Sequence, residues 1–134
     1  MPALNELYRD YRERASFYIV YIQEAHPIDA WQVDDNLEDD VLVASTMTKE
    51  ERAAAAGMCV TRLGIKLPAL LDDPDNHVEQ AYTGWPDRLY VIDQSGRIAF
   101  KSAAGPFGFK PAAVEESLKT LLAVDARNTA GADR

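Results

Sequence analysis

The spacing of apolar positions changes along the chain, and each change marks a new element. Leu4, Leu7, Tyr8 and Tyr11 recur at i, i+3, i+4 and i+7, while Glu6, Arg9, Asp10, Arg12 and Glu13 fill the remaining positions. That spacing predicts an opening amphipathic helix. Phe17 to Gln23 follows, β-branched or aromatic at every position but the last. It shows no alternation, which reads as a strand covered on both faces. The run empties at once into Glu24-Ala25-His26-Pro27, with Asp29 and Trp31 close behind. Open α/β sheets bind ligands at the carboxyl ends of parallel strands, so Glu24, His26 and Trp31 are the first candidates for a site.

Val41 to Val43 is a short apolar return, and Thr48 with Glu51 three residues on forms a capping box. The helix it opens carries alanines, Met58, Cys59 and Leu63 and stops at Gly64, where a C′ glycine belongs. Leu67 to Leu71 predicts a short strand ending on Asp72-Asp73. A small helix is expected from about Asn76, with Val78, Ala81 and Tyr82 inward and His77 on its polar side, exposed and inert. After Trp85-Pro86, the runs Leu89 to Ile92 and Ile98 to Lys101 flank a Ser95-Gly96 turn and predict a hairpin. Gly105-Pro106-Phe107-Gly108-Phe109 predicts an ordered loop. Pro111 suits the first position of a last helix striped by Val114, Leu118, Leu121 and Leu122. The predicted order is α-β-α-β-α-β-β-α, one domain over 1–126, with a frayed tail from Arg127 to Arg134.

Charge and composition narrow the function. The 134 residues carry a net charge of −8 with no basic cluster, which opposes a phosphate-tracking nucleic-acid surface and binding to anionic membrane. No apolar run approaches the roughly 20 residues of a membrane span and no signal peptide is evident, so a soluble, cytoplasmic and bacterial protein is expected. The single cysteine, Cys59, excludes an internal disulfide, a Cys-x-x-Cys pair and a thiolate zinc cluster. Placed among helical alanines it reads as a small buried hydrophobe rather than a redox thiol. Asp34 to Asp40 holds five carboxylates in seven residues. Its spacing lacks the pattern and the glycine of a calcium loop, so it reads as solvated loop. Neither a metal nor a bound cofactor is expected.

The element order, with one strand added in front, resembles a thioredoxin-like fold, an α/β mixed sheet with flanking helices. Leu67 to Gly96 is similar to the back half of redoxin domains, with Pro86 where those folds place a cis-proline facing the active site. Three motifs resemble the iodothyronine deiodinase family: Val20 to Pro27 closing on Trp31, Trp85 to Ile92, and Gly105 to Pro111. That family removes iodine reductively from an aromatic ring through a selenocysteine, or a cysteine in some members, later reduced by thiol. The resemblance implies His26 and Glu24 as a proton-handling pair and Arg88 as a contact for an anionic substrate group. Trp31 and Phe107 could sandwich an aromatic ring, with Pro86 lining the same pocket. Taken without the family, His26 reads as a loop-capping histidine, Arg88 as a surface charge and Phe107 as packing.

Two features depart from the family pattern. Ser45-Thr46-Met47 stands where the family has a second histidine. The family's nucleophile precedes its first helix, so it is expected upstream of Met1, together with the first strand. The 134 residues alone would then be inactive, and two strands left facing a gap would favour association of copies. The expected partners are a small aromatic, halogenated substrate and a thiol reductant. The competing reading is a non-catalytic thioredoxin-like module that binds a partner protein or a small aromatic ligand through the same pocket.

Overall fold

A computed structural model describes residues 1–25 and 44–132. The acidic stretch, Val41 to Val43, His26 and Trp31 lie outside the described residues. The chain forms two compact units, Met1–Pro86 and residues 87–134.

The first unit runs α1 (Pro2–Tyr11), β1 (Ile19–Tyr21), α2 (Lys49–Arg62), β2 (Ala69–Leu71) and α3 (His77–Tyr82). Leu7 and Tyr11 of the predicted stripe are buried in α1. Asn5 locks α1 to the turn after α2: its Nδ2 donates to Gly64 O at 2.9 Å and its Oδ1 accepts from Lys66 N at 2.9 Å. The capping box of α2 forms as predicted, with Glu51 N donating to Thr48 Oγ1 at 3.2 Å and Thr48 N to Glu51 Oε2 at 3.0 Å. The helix ends on Gly64 at φ +59°, a left-handed position that glycine adopts without a Cβ penalty. β1 and β2 pair in parallel, Val20 opposite Leu70 and Tyr21 opposite Leu71. A helix between two parallel strands is the βαβ connection that places side chains at the strands' carboxyl ends.

Two expectations for this unit need correction. β1 spans three residues and is not covered on both faces: Tyr18 is 60% exposed, and Val20 and Leu70 36% and 50%. Tyr21 faces α2, where its hydroxyl meets Cys59 Sγ at 3.9 Å, so Val20 and Leu70 share the opposite, open face. An unbroken apolar run carries no signal of which face is covered. In α3, Val78 and Tyr82 are 37% and 40% exposed and no residue is buried. Main-chain capping by Asp72, not an apolar stripe, holds this six-residue helix.

The second unit contains β3 (Tyr90–Ile92), β4 (Ile98–Lys101) and α4 (Pro111–Ala132). The strands form the predicted antiparallel hairpin, Tyr90 opposite Lys101. Asp93 Oδ1 closes its turn by accepting from Ser95 N, Ser95 Oγ and Arg97 N, and Gly96 sits at φ +84°. α4 starts at Pro111, packs on both strands and buries Val114 and Leu118. It continues to Ala132. The chain is thus of α/β type, with one parallel and one antiparallel two-stranded sheet among the described residues.

Candidate functional site

The parallel pair delivers polar side chains where its strands end. β1 is followed by Gln23 and Glu24, β2 by Asp72 and Asp73. Asp72, 1% exposed, accepts from Asp73 N at 2.9 Å, Val78 N at 3.0 Å and Glu79 N at 2.8 Å. A carboxylate that satisfies the orphan N–H groups of a helix start is a structural anchor.

Glu24 is in a different state. Its Oε1 is buried with no hydrogen-bond partner among the described residues. Burial pushes its carboxyl up to about 7, and the positive charge of Arg52 offsets part of that rise. At neutral pH such a group is populated both with and without its proton, the condition for general acid–base work.

Arg52 is 2% exposed on α2. Its Nε donates to Thr46 Oγ1 at 3.2 Å, and its Nη1 to Asn76 Oδ1 at 2.7 Å and to the carbonyl of Asp73. Asn76 Nδ2 in turn reaches Gln23 Oε1 at 3.5 Å, beside Glu24 in the chain. Cys59 lies seven residues further along α2 and is 8% exposed. Burial, and secondarily the charge of Glu24, pushes its thiol up to about 11. That is opposite to the shift a nucleophilic thiol requires, in keeping with a small buried hydrophobe.

Of the predicted site residues, Glu24 and Pro86 belong to the first unit, and the Trp85–Pro86 peptide bond is cis. Arg88 and Phe107 belong to the second unit. Arg88 Nη1 donates to Ser102 O at 2.9 Å, and Leu89 N donates to Ser102 Oγ at 3.0 Å. Phe107 is 91% exposed, on the loop after the cis Gly105–Pro106 bond, so its ring is not core packing. Asp87 has a buried Oδ1 without a partner among the described residues, and burial raises its pKa against the opposing effect of Arg88. His77 is exposed, as expected, and its Nδ1 pairs with Asp73 Oδ2, which raises the imidazole pKa and lowers that of the carboxyl. Among the described residues, Asp73, Asp75 and His77 alone bring three metal-type ligand atoms within 4.8 Å, on a solvent-facing loop.

The sequence reading missed Arg52, Asp72 and Asp87 as polar groups with buried atoms. For Arg52 a signal was present. It lies three and seven residues before Ala55 and Cys59, on the buried face of α2. A charge on an apolar helix face is buried only with partners.

The sequence model of the iodothyronine deiodinase family matches residues 1–122. The chain belongs to this family. It is 34% identical over 107 residues to a type I iodothyronine deiodinase of Xenopus laevis, covering 80% of this chain and 40% of that protein. A type II enzyme of Petromyzon marinus is 36% identical over 121 residues, 88% of this chain and 40% of the relative. The human thyroxine 5-deiodinase is 36% identical over 111 residues, 82% of this chain and 34% of the relative. The chain therefore spans two fifths or less of these deiodinases' length. All three are vertebrate proteins and lend no support to the bacterial, cytoplasmic setting expected above. No helix of the described residues is long and apolar enough to cross a membrane.

Proposed function

We propose that this chain is the acid-bearing portion of a thiol-dependent reductive deiodinase with a thioredoxin-like fold. A selenolate or thiolate on a segment beyond these 134 residues attacks the iodine of an iodinated aromatic ring. The carbon–iodine bond breaks and its electron pair stays on the ring carbon, which takes a proton from the Glu24–His26 pair. The iodine is left on selenium or sulfur. Two equivalents of thiol then reduce that centre, leaving as a disulfide and releasing iodide and protons. The ring gains hydrogen and the thiols are oxidised. By the family resemblance, Arg88 is assigned to an anionic substituent of the substrate, and Trp31, Phe107 and Pro86 to its ring. No bound cofactor is required.

One observation carries this reading: in a deiodinase-family chain, Glu24 follows the first parallel strand two residues before His26, with its Oε1 buried and unpartnered among the described residues and its pKa pushed up by burial. The burial of Cys59 and the upward push on its thiol support a nucleophile supplied by another segment. The test is iodide release from an iodinated phenol by the protein joined to its nucleophile segment, with and without dithiothreitol. Thiol-dependent release that is lost in His26→Ala supports the proposal. Tight binding of the phenol with no release would establish the ligand-binding module instead.

A further inference from the structure

We propose that Arg52 is a positioning residue for Glu24, tying the approach to α2, the β2–α3 loop and, through Asn76 and Gln23, the exit of β1 that carries Glu24. This deepens the reading of Glu24 as the acid and rests on it. The guanidinium is 2% exposed and reaches Thr46 on one side and Asp73 O and Asn76 Oδ1 on the other. A planar fork can address three acceptors on two segments; a lysine ammonium on a flexible stem cannot hold them in one geometry. Asn76 extends the tie to Gln23, the residue before Glu24.

The charge has a second consequence. All three acceptors are neutral, so no carboxylate among the described residues neutralises Arg52 by direct pairing. Its field therefore acts on Glu24, whose own Oε1 has no partner among the described residues. Among the described residues, the ionisable groups acting on or near that carboxyl are Arg52 and Cys59, both from α2, with Tyr21 of β1 against Cys59. On the β2–α3 loop Asp72 is engaged by Val78 and Glu79 and Asp73 by His77, and Asp75 is exposed. A buried arginine thus fixes where Glu24 sits and keeps part of its population ionised near neutral pH.

The two effects separate by substitution. Carbon-13 NMR of the 134-residue chain follows the Glu24 carboxyl directly, without needing turnover. Arg52→Met should raise its titration midpoint above the parental value near 7; an unchanged midpoint in folded variant overturns the proposal. Arg52→Lys keeps the charge and loses the fork. Its midpoint should stay near parental, while kcat of the deiodinating protein falls on the order of 10- to 100-fold through misplacement of the acid. Parental kcat in Arg52→Lys also overturns the proposal, and this arm stands if the methionine variant fails to fold. Turnover of Glu24→Gln tests the acid itself, so failure of that reading is told apart from failure of the Arg52 tie.

Discussion

Gly105 lies so close to Asp87 that a Cβ built on it would fall on the aspartate carboxyl, and Gly105 N donates to Asp87 O at 3.0 Å. The added Cβ would meet only the side-chain carboxyl of Asp87, whose Oδ1 is buried with no partner among the described residues. Gly105→Ala should therefore force Asp87 aside and cost about 1–3 kcal/mol, as overpacking does. Urea unfolding of the variant against the parent measures it, and equal stability would show that the loop yields freely.

Asp72 caps the start of α3 through Val78 N and Glu79 N, while Asp73 Oδ1 accepts from His77 N at 3.3 Å. Asp72→Ala leaves those N–H groups and Asp73 N without their acceptor, for an expected loss of about 1–3 kcal/mol. Amide exchange localises the effect: protection should fall at Val78 and Glu79 first.

Cys59 should be slow to react. With its thiol pushed up to about 11, the thiolate fraction at pH 8 is on the order of 100-fold below that of an ordinary cysteine near 8.5. Iodoacetamide labelling of the folded chain should lag a peptide thiol by about that factor and reach parity in denaturant. The 134-residue chain alone should show no thiol-dependent deiodination, and Cys59→Ser should change nothing in that assay.

The elevated Glu24 makes stability fall with pH. Its carboxyl moves from an ordinary 4.5 to about 7 on folding, so between those values the folded chain holds a proton that the unfolded chain releases. The stabilisation is full below 4.5 and is lost as pH rises through 7. Glu24→Gln has no such proton. Its Tm should gain on the parent across that window and run parallel to it above, and a constant difference from pH 4 to 8 would remove the buried-acid assignment.

Much of this was legible in the sequence where the signal is local. Thr48 and Glu51, Gly64, the turn over Asp93 to Arg97 and the start of α4 at Pro111 each rest on chemistry within a few residues, and each formed as read. Burial was less legible, because it depends on what lies across from a residue. Val20, Val78 and Tyr82 are apolar and exposed, while Arg52 and Asp72 are charged residue types and buried. Glu24 was readable as a candidate from its place after an apolar strand. Its elevated pKa was not, since that follows from burial, which the local sequence does not carry.

The most direct test of Glu24 as the acid is the pH dependence of kcat for iodide release by the protein carrying its nucleophile segment. With the substrate-bound carboxyl near its free value of about 7, kcat should decline as pH rises through that value and the proton is lost. Glu24→Gln should lose that limb and fall by about 10²- to 10⁴-fold at its maximum. A Glu24→Gln enzyme that keeps both the limb and the parental rate would contradict the account.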